Sequence, residues 1–461
     1  MKKLFTTLRN IWDIKELRDK LIYTVGMLAI FRLGSFIVLP GVIPSALETA
    51  NNNAGGKTDL LGLINNFTGG AFNNASIFAL GIMPYITASI IVQLLGFAVP
   101  YFQRLQQREG ESGRKKLNQI MRMLTVAITL VQGGGYLTFL NTKNAVAQSM
   151  SPGTFWIVGI IVLAAGTLFA MWLGERINDK GIGNGTSLII MTGIMSRLPS
   201  AFATELGIKL NNSGNGGMLS FIIEMVFLVF VIMFTILLVQ GVRRIPVQFA
   251  KRMVGRDSTA SMPASGNRDF IPLKLNTAGV MPIIFAQALM FLPNTVVQYF
   301  YPSGAGADTF LGKLGDYTSL PYNVIYFVLV LIFTYVYTAL VVNPRQYAEY
   351  LQRQNAFIPG VKPGESTEEY IDSVTTRITF PGGVFIGLIA ILPAFARFFD
   401  INNAFAAFFG GTSLLIFVGV ILDTLQQIES HLLMQKYDGL VKSGKIEGRS
   451  QGGLQQIGGF Q

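Results

Sequence analysis

Residues 218–240 read MLSFIIEMVFLVFVIMFTILLVQ, with Glu224 the one charge in the run. An apolar stretch of about 18 residues or more crosses a bilayer as a helix, since the hydrocarbon offers backbone N–H and C=O groups no other partners. The run is not alone. Spans are expected near 21–39, 75–98, 119–140, 154–173, 186–204, 218–240, 277–293, 321–342, 378–396 and 404–424, ten in all. The fifth is interrupted by Arg197 and Pro199, and the seventh is short. Pro84 interrupts the second and loosens its hydrogen-bond ladder. The composition agrees: 51% of the 461 residues are hydrophobic and 13% charged, where soluble domains carry about 25% charge.

Lys and Arg set the orientation. Of 36 such residues, 29 fall on one side: the N-terminus, the 99–118 loop with Arg122, the 174–185 loop, the 241–276 and 343–377 loops, and the tail. That bias puts both termini in the cytoplasm. The start, MKKLFTTLRNIWDIKELRDKL, has no cleavage site and reads as an amphipathic surface helix with Leu4, Phe5, Leu8, Ile11 and Trp12 on its apolar side. Five spans precede the break at 205–217 and five follow it, so the two halves run in opposite directions, an arrangement that places a working site between them. The expected fold is therefore an all-α polytopic membrane protein of ten helices in two inverted halves. Its parts are an N-terminal segment (1–20), the first half (21–204), the connection (205–217), the second half (218–424) and a tail (425–461).

Catalytic chemistry has little to stand on. Cysteine is absent and His431 is the single histidine, beyond the last apolar run. Thiolate chemistry, disulfides and histidine metal clusters are excluded, and no cofactor is expected. DKGIGNGTS lacks the Lys-Ser/Thr ending of a phosphate loop and reads as a tight turn before the fifth span. Arg32, Glu224 and Asp423 are the few ionisable groups within spans; the expected role of Arg32 is to pair with polar groups of a neighbouring helix. GTLFAMWLG, GGVFIG and QGGGY carry the small residues that let helices approach closely in lipid. In the second span Ile82, Ile86, Ile90 and Gln93 share one face, either a packing stripe or the lining of a passage.

Two features remain unexplained by a plain bundle. The loops at 241–276 and 343–377 are long and mix basic with apolar residues, which suits docking of protein or RNA as well as anionic lipid. The stretch DLLGLINNFTGG, residues 59–70, is a short half-apolar piece just outside a full span.

Six blocks, in order, carry a resemblance: ASIFALGIMPYITASIIVQLL, GESGRKK, MWLGERINDKGIGNGTSLII, AGVMPIIFA, YTALVVNPRQYAEYLQRQNAFIPGVKPGE and GGTSLLI. Together they resemble the SecY family, the central subunits of Sec protein-conducting channels, over residues 31–425. The resemblance implies a channel that passes unfolded secretory polypeptides and releases signal or transmembrane helices sideways into the bacterial cytoplasmic membrane. Residues 60–70 would be its plug, with Leu60, Leu61, Leu63, Ile64 and Phe67 offering apolar surface and Asn65, Asn66, Gly69 and Gly70 keeping it detachable. The pore ring would fall on Ile82, Ile86, Thr186, Ile190, Ile284 and Ile416, where Thr186 departs from the family's aliphatic residue. The lateral gate would set Thr87, Ile90 and Gln93 against Gln287, Leu292 and Asn294. Docking would use Arg243, Arg244, Lys251, Arg252 and Arg256 in one loop and Arg345, Arg353 and Lys362 in the other; at Lys362 the family usually has Arg. Implied partners are SecE-like and SecG-like small subunits, the SecA motor, the ribosome, signal peptides with their nascent chains, and anionic lipids. Without these blocks, a secondary transporter for a small solute would compete, and a membrane insertase or passive scaffold would be a third reading.

Overall fold

The computed structural model describes residues 12, 14–44, 65, 68–107, 109–143, 145–147, 151–211, 217–249, 268–287, 289–290, 319–396, 401–406 and 408–442. The chain opens with α1 (Lys15–Gly34), α2 (Met83–Ala98), α3 (Pro100–Gln107), α4 (Gly110–Thr142), α5 (Pro152–Lys180) and α6 (Gly185–Asn211). After α7 (Gly217–Gln240) come β1 (Val242–Phe249) and β2 (Arg268–Lys274), then a helical stretch at 281–287. The chain continues through α8 (Leu320–Val341), α9 (Pro344–Arg353), β3 (Ala356–Phe357), α10 (Glu365–Ala396), α11 (Asn403–Ala406) and α12 (Gly411–Lys442).

Among the described residues six helical stretches are long and apolar enough to cross a membrane: α4, α5, α7, α8 running on into α9, α10 and α12. Their outward faces stay apolar, as lipid contact requires. In α7, for example, Leu219, Ile223, Val226, Phe230 and Leu237 are all exposed. The 33 residues of α4 and the 32 each of α10 and α12 make rods of about 50 Å at 1.5 Å per residue. The hydrocarbon core is about 30 Å thick, so these helices project well past it.

Close approach is bought by glycine. A Cβ on Gly166 of α5 would collide with the Ile77 carbonyl, and one on Gly387 of α10 would lie 2.6 Å from the Phe327 ring of α8. The small-residue motifs thus serve helix packing.

Three expectations need correction. The second span was expected from residue 75, but 68–82 form successive turns and α2 begins at Met83. Positive φ at Ala75 (45°) and Gly81 (54°) breaks any helix there. Pro84 consequently sits in the first turn of α2, where a missing N–H costs no helical bond. The fifth span was expected to be interrupted, yet α6 runs unbroken through Pro199. Proline there removes the donor to the Met195 carbonyl, and the helix tolerates the loss under tertiary packing against α5 and α12.

The third correction concerns fold class. The chain is not purely helical, because the two long loops build a three-stranded sheet ordered β2-β1-β3. Antiparallel pairing sets Arg243 opposite Leu273 and Arg244 opposite Pro272, while Gln248 and Phe249 pair with Phe357 and Ala356. One face of this sheet buries Ile245, Val247 and Leu273 with Leu351, Ile358 and Ile371. Alternation in RRIPVQF is the local cause: Ile245 and Val247 point inward, Arg244 and Pro246 outward.

Candidate functional site

Among the described residues, the largest buried apolar cluster draws on residues from both sides of the 205–217 connection. Ile82, Ile86 and Ile90 reach it from the start of α2, and Ile190 from α6. Ile284 comes from the 281–287 stretch and Ile416 from α12. Each of these isoleucines is at most 8% exposed. The periodicity explains the delivery: Ile86 and Ile90 are one turn apart on one face of α2, and Ile82 precedes them as its N-cap. Five of the six expected ring positions therefore meet in one place. The sixth, Thr186, lies one turn before Ile190 and is half-buried.

Two kinds of neighbour complete the cluster. Phe31 and Phe78 stack at 5.3 Å between ring centroids, and Phe405 and Phe409 pack edge-on at 5.2 Å. Ala71, fully buried, joins it directly from the turn that ends the 60–70 segment. Of that segment, Asn65, Gly69 and Gly70 are described, whereas Leu60, Leu61, Leu63, Ile64, Asn66 and Phe67 lie outside the described residues. The Asn65 carbonyl accepts from Gly70 N at 2.9 Å, and its side-chain Oδ1 accepts from Asn73 N at 3.0 Å. Gly69 (φ 65°) and Gly70 (φ 94°) occupy the left-handed region that the turn requires.

The expected gate residues are placed as follows. Ile90 belongs to the central cluster. Thr87 Oγ1 donates to its own helix at Met83 O (3.1 Å), and Gln93 Nε2 donates to Ser89 Oγ (3.2 Å). Gln287 is buried and lines a small cavity with Tyr322, Asn323, Tyr326, Thr412 and Ser413. Leu292 and Asn294 lie outside the described residues.

At the sheet end, Arg243 and Arg244 stand exposed on β1. Arg345 and Arg353 both reach Glu349, at 3.2 and 3.7 Å, from one strongly exposed face of α9. Lys362 is exposed in the turn before α10, where its carbonyl accepts from Thr367 Oγ1 at 2.8 Å. Lys251, Arg252 and Arg256 lie outside the described residues.

One arrangement escaped the sequence reading. Lys209 of α6 sits 2.8 Å from Glu224 Oε1 of α7 and 3.7 Å from Glu205 Oε1, with all three residues buried. Ser220 Oγ donates to the same Glu224 oxygen at 3.1 Å, and Asn402 N donates to Glu205 Oε2 at 3.1 Å. The cluster ties the end of α6 to the start of α7 and to the segment before α11. Two clues were available: Glu205 and Lys209 are one turn apart, and a lone Glu224 in an apolar run demands a cation. Arg32 departs from expectation too, since its polar partner is no neighbouring helix but a backbone carbonyl of the turn at Gly69, 2.6 Å away.

The SecY family model matches residues 76–425. The chain belongs to the SecY family. Protein translocase subunit SecY of Chlamydia trachomatis serovar D is 37% identical over 460 residues, spanning 96% of this chain and 99% of the relative. Two solved structures share the SecY fold. A protein-conducting channel aligns with TM-score 0.63 at 17% identity over 90% of this chain and 92% of that one. A SecY channel studied for the role of its plug domain in the closed state aligns with TM-score 0.61 at 19% identity, with the same coverage.

Proposed function

We propose that this chain is the channel subunit of a translocase that passes unfolded polypeptides across the cytoplasmic membrane and releases apolar helices into lipid. Ten spans in two inverted halves surround the passage, and both termini face the cytoplasm, as the distribution of Lys and Arg supports. The observation that carries the reading is the convergence of Ile82, Ile86, Ile190, Ile284 and Ile416, drawn from both halves, into one buried cluster.

The physics of that cluster suits a gasket. Branched apolar side chains dewet an unoccupied constriction and offer no hydrogen bond to a passing backbone. Residues 60–70 would seat against it as the plug, and Ala71 anchors their end in the cluster. The relative with a plug domain implicated in its closed state is consistent with this role. Thr87, Ile90 and Gln93 would face Gln287, Leu292 and Asn294 across the gate through which signal helices leave.

The sheet end would dock SecA or the ribosome. Joined through β1 and β3, the two long loops form one basic surface with its own apolar support. RNA phosphates or acidic side chains would meet Arg243, Arg244, Lys251, Arg252, Arg256, Arg345, Arg353 and Lys362. SecE-like and SecG-like subunits would complete the complex, and anionic lipid would meet the same positive face.

Because the chain lacks cysteine, single cysteines at Ile86 and Ile284 test the pathway without background. A stalled, signal-bearing chain should cross-link to both. Cross-links confined to lipid-facing controls such as Phe230 would remove the cluster from the path.

Lys362→Glu is expected to cut SecA-driven or ribosome-driven translocation severalfold, since reversing an exposed charge at a docking surface exchanges attraction for repulsion. Translocation into inverted vesicles measures it, and an unchanged rate takes Lys362 out of the docking surface.

A further inference from the structure

The turn at Gly69–Gly70 is held from two sides by cationic helices. From α1, Arg32 Nη1 donates to the Gly69 carbonyl at 2.6 Å, and its guanidinium lies 4.7 Å over the Phe36 ring. From α6, Ser196 Oγ reaches the same carbonyl at 3.4 Å while bonded to Gly193 O at 2.7 Å. The socket is tight: a Cβ on Gly69 would sit 2.7 Å from Ser196 Oγ and 2.9 Å from both Arg32 Nη1 and Gly193 Cα. A Cβ on Gly70 would lie 3.4 Å from Arg197 Nε and Nη2. Among the described residues, neither Arg32 nor Arg197 lies within ion-pair distance of a carboxylate.

We infer that Arg32 is a positioning residue that clasps the root of the plug, with Ser196 as second donor and Arg197 closing the socket behind Gly70. The inference rests on the plug reading of residues 60–70. A half-buried guanidinium still needs an acceptor, and among the described residues Arg32 finds it in the Gly69 carbonyl, at the end of the plug. Leaving that carbonyl forfeits a charge-assisted bond, the stronger kind. It also withdraws a carbonyl dipole from a turn that two guanidinium groups flank. Docking of the root is therefore favoured when the channel is idle, and the clasp sits at the base of the plug, where its release frees the whole segment. Two positive-φ glycines are what allow the carbonyl to turn toward Arg32.

The test compares ion conductance of idle channels in planar bilayers, using the full chain in its complex. Four forms are needed: the natural chain, Arg32→Met, Arg32→Lys and a deletion of residues 60–67. The deletion should leak. Arg32→Met should leak likewise, with the sealed state weakened roughly tenfold to a hundredfold, the range for one hydrogen bond to a charged group. Arg32→Lys, which keeps charge and donors, should restore most of the seal. Export driven by a strong signal should persist in all Arg32 variants, which a general folding defect would not allow. A leaking deletion beside a sealed Arg32→Met overturns the clasp and leaves the plug standing. If the deletion itself stays sealed, the plug reading falls and the clasp with it. Should Arg32→Met fail to accumulate, Gly69→Ala attacks the same socket from the other side and must leak, or the clasp is wrong.

Discussion

Asparagine in place of Ile86 or Ile284 is expected to raise export of proteins with defective signal sequences about tenfold or more. Each side chain is buried in the central apolar cluster, at 4% and 8% exposure. Burying an isoleucine contributes about 1.5–3 kcal/mol to the closed arrangement. An amide there loses that and adds an unsatisfied polar group costing roughly 1–3 kcal/mol. In an open, hydrated pore the amide meets water and both penalties vanish. The substitution therefore destabilises the closed state selectively, and a signal needs to supply less energy to open the channel. Secretion of a reporter with a shortened apolar signal measures the effect. Stringency equal to that of the natural chain would show that these isoleucines are ordinary core and no gate. Asparagine at Leu163, equally buried but in the separate cluster of the first half, should lower accumulation without relaxing stringency.

Lys209→Met should destabilise the folded chain by about 3–5 kcal/mol, the usual cost of leaving buried charge uncompensated. Glu205 and Glu224 would face each other without their shared cation, and each already has an oxygen lacking a hydrogen-bond donor, Oε1 and Oε2 respectively. The loss should appear as a lowered unfolding midpoint in detergent. Adding Glu205→Gln and Glu224→Leu to the same chain should recover most of it, because a neutral, well-packed set carries no desolvation penalty. If the single replacement is as stable as the natural chain, the three groups are wetter than their burial implies. The cluster joins α6 to α7, so weakening it should also loosen the packing of these two helices.

The order of residues along the chain determined the apolar helices. Length and hydropathy are local, so α4, α5, α7, α8, α10 and α12 could be read directly. The glycine packing was legible for the same reason. The expected ring, plug, gate and docking residues came from family resemblance, since composition alone does not separate them from other isoleucines or arginines. Local signals misled at two points. Pro199 predicts a break that packing overrides, while Ala75 and Gly81 adopt turns inside a stretch apolar enough to be taken for helix.

Only the tertiary structure decided what meets what. The Lys209–Glu224 pair, the Arg32 bond to Gly69, and the sheet that welds two loops into one surface join residues from separate parts of the chain. Apart from Glu205 and Lys209, one turn apart in α6, the partners of these contacts lie too far apart in sequence for a local pattern to pair them. The reason is physical: hydrophobic burial is non-directional and can be read from composition, whereas an ion pair or strand register exists only once the backbone has brought its two halves to within a few ångströms.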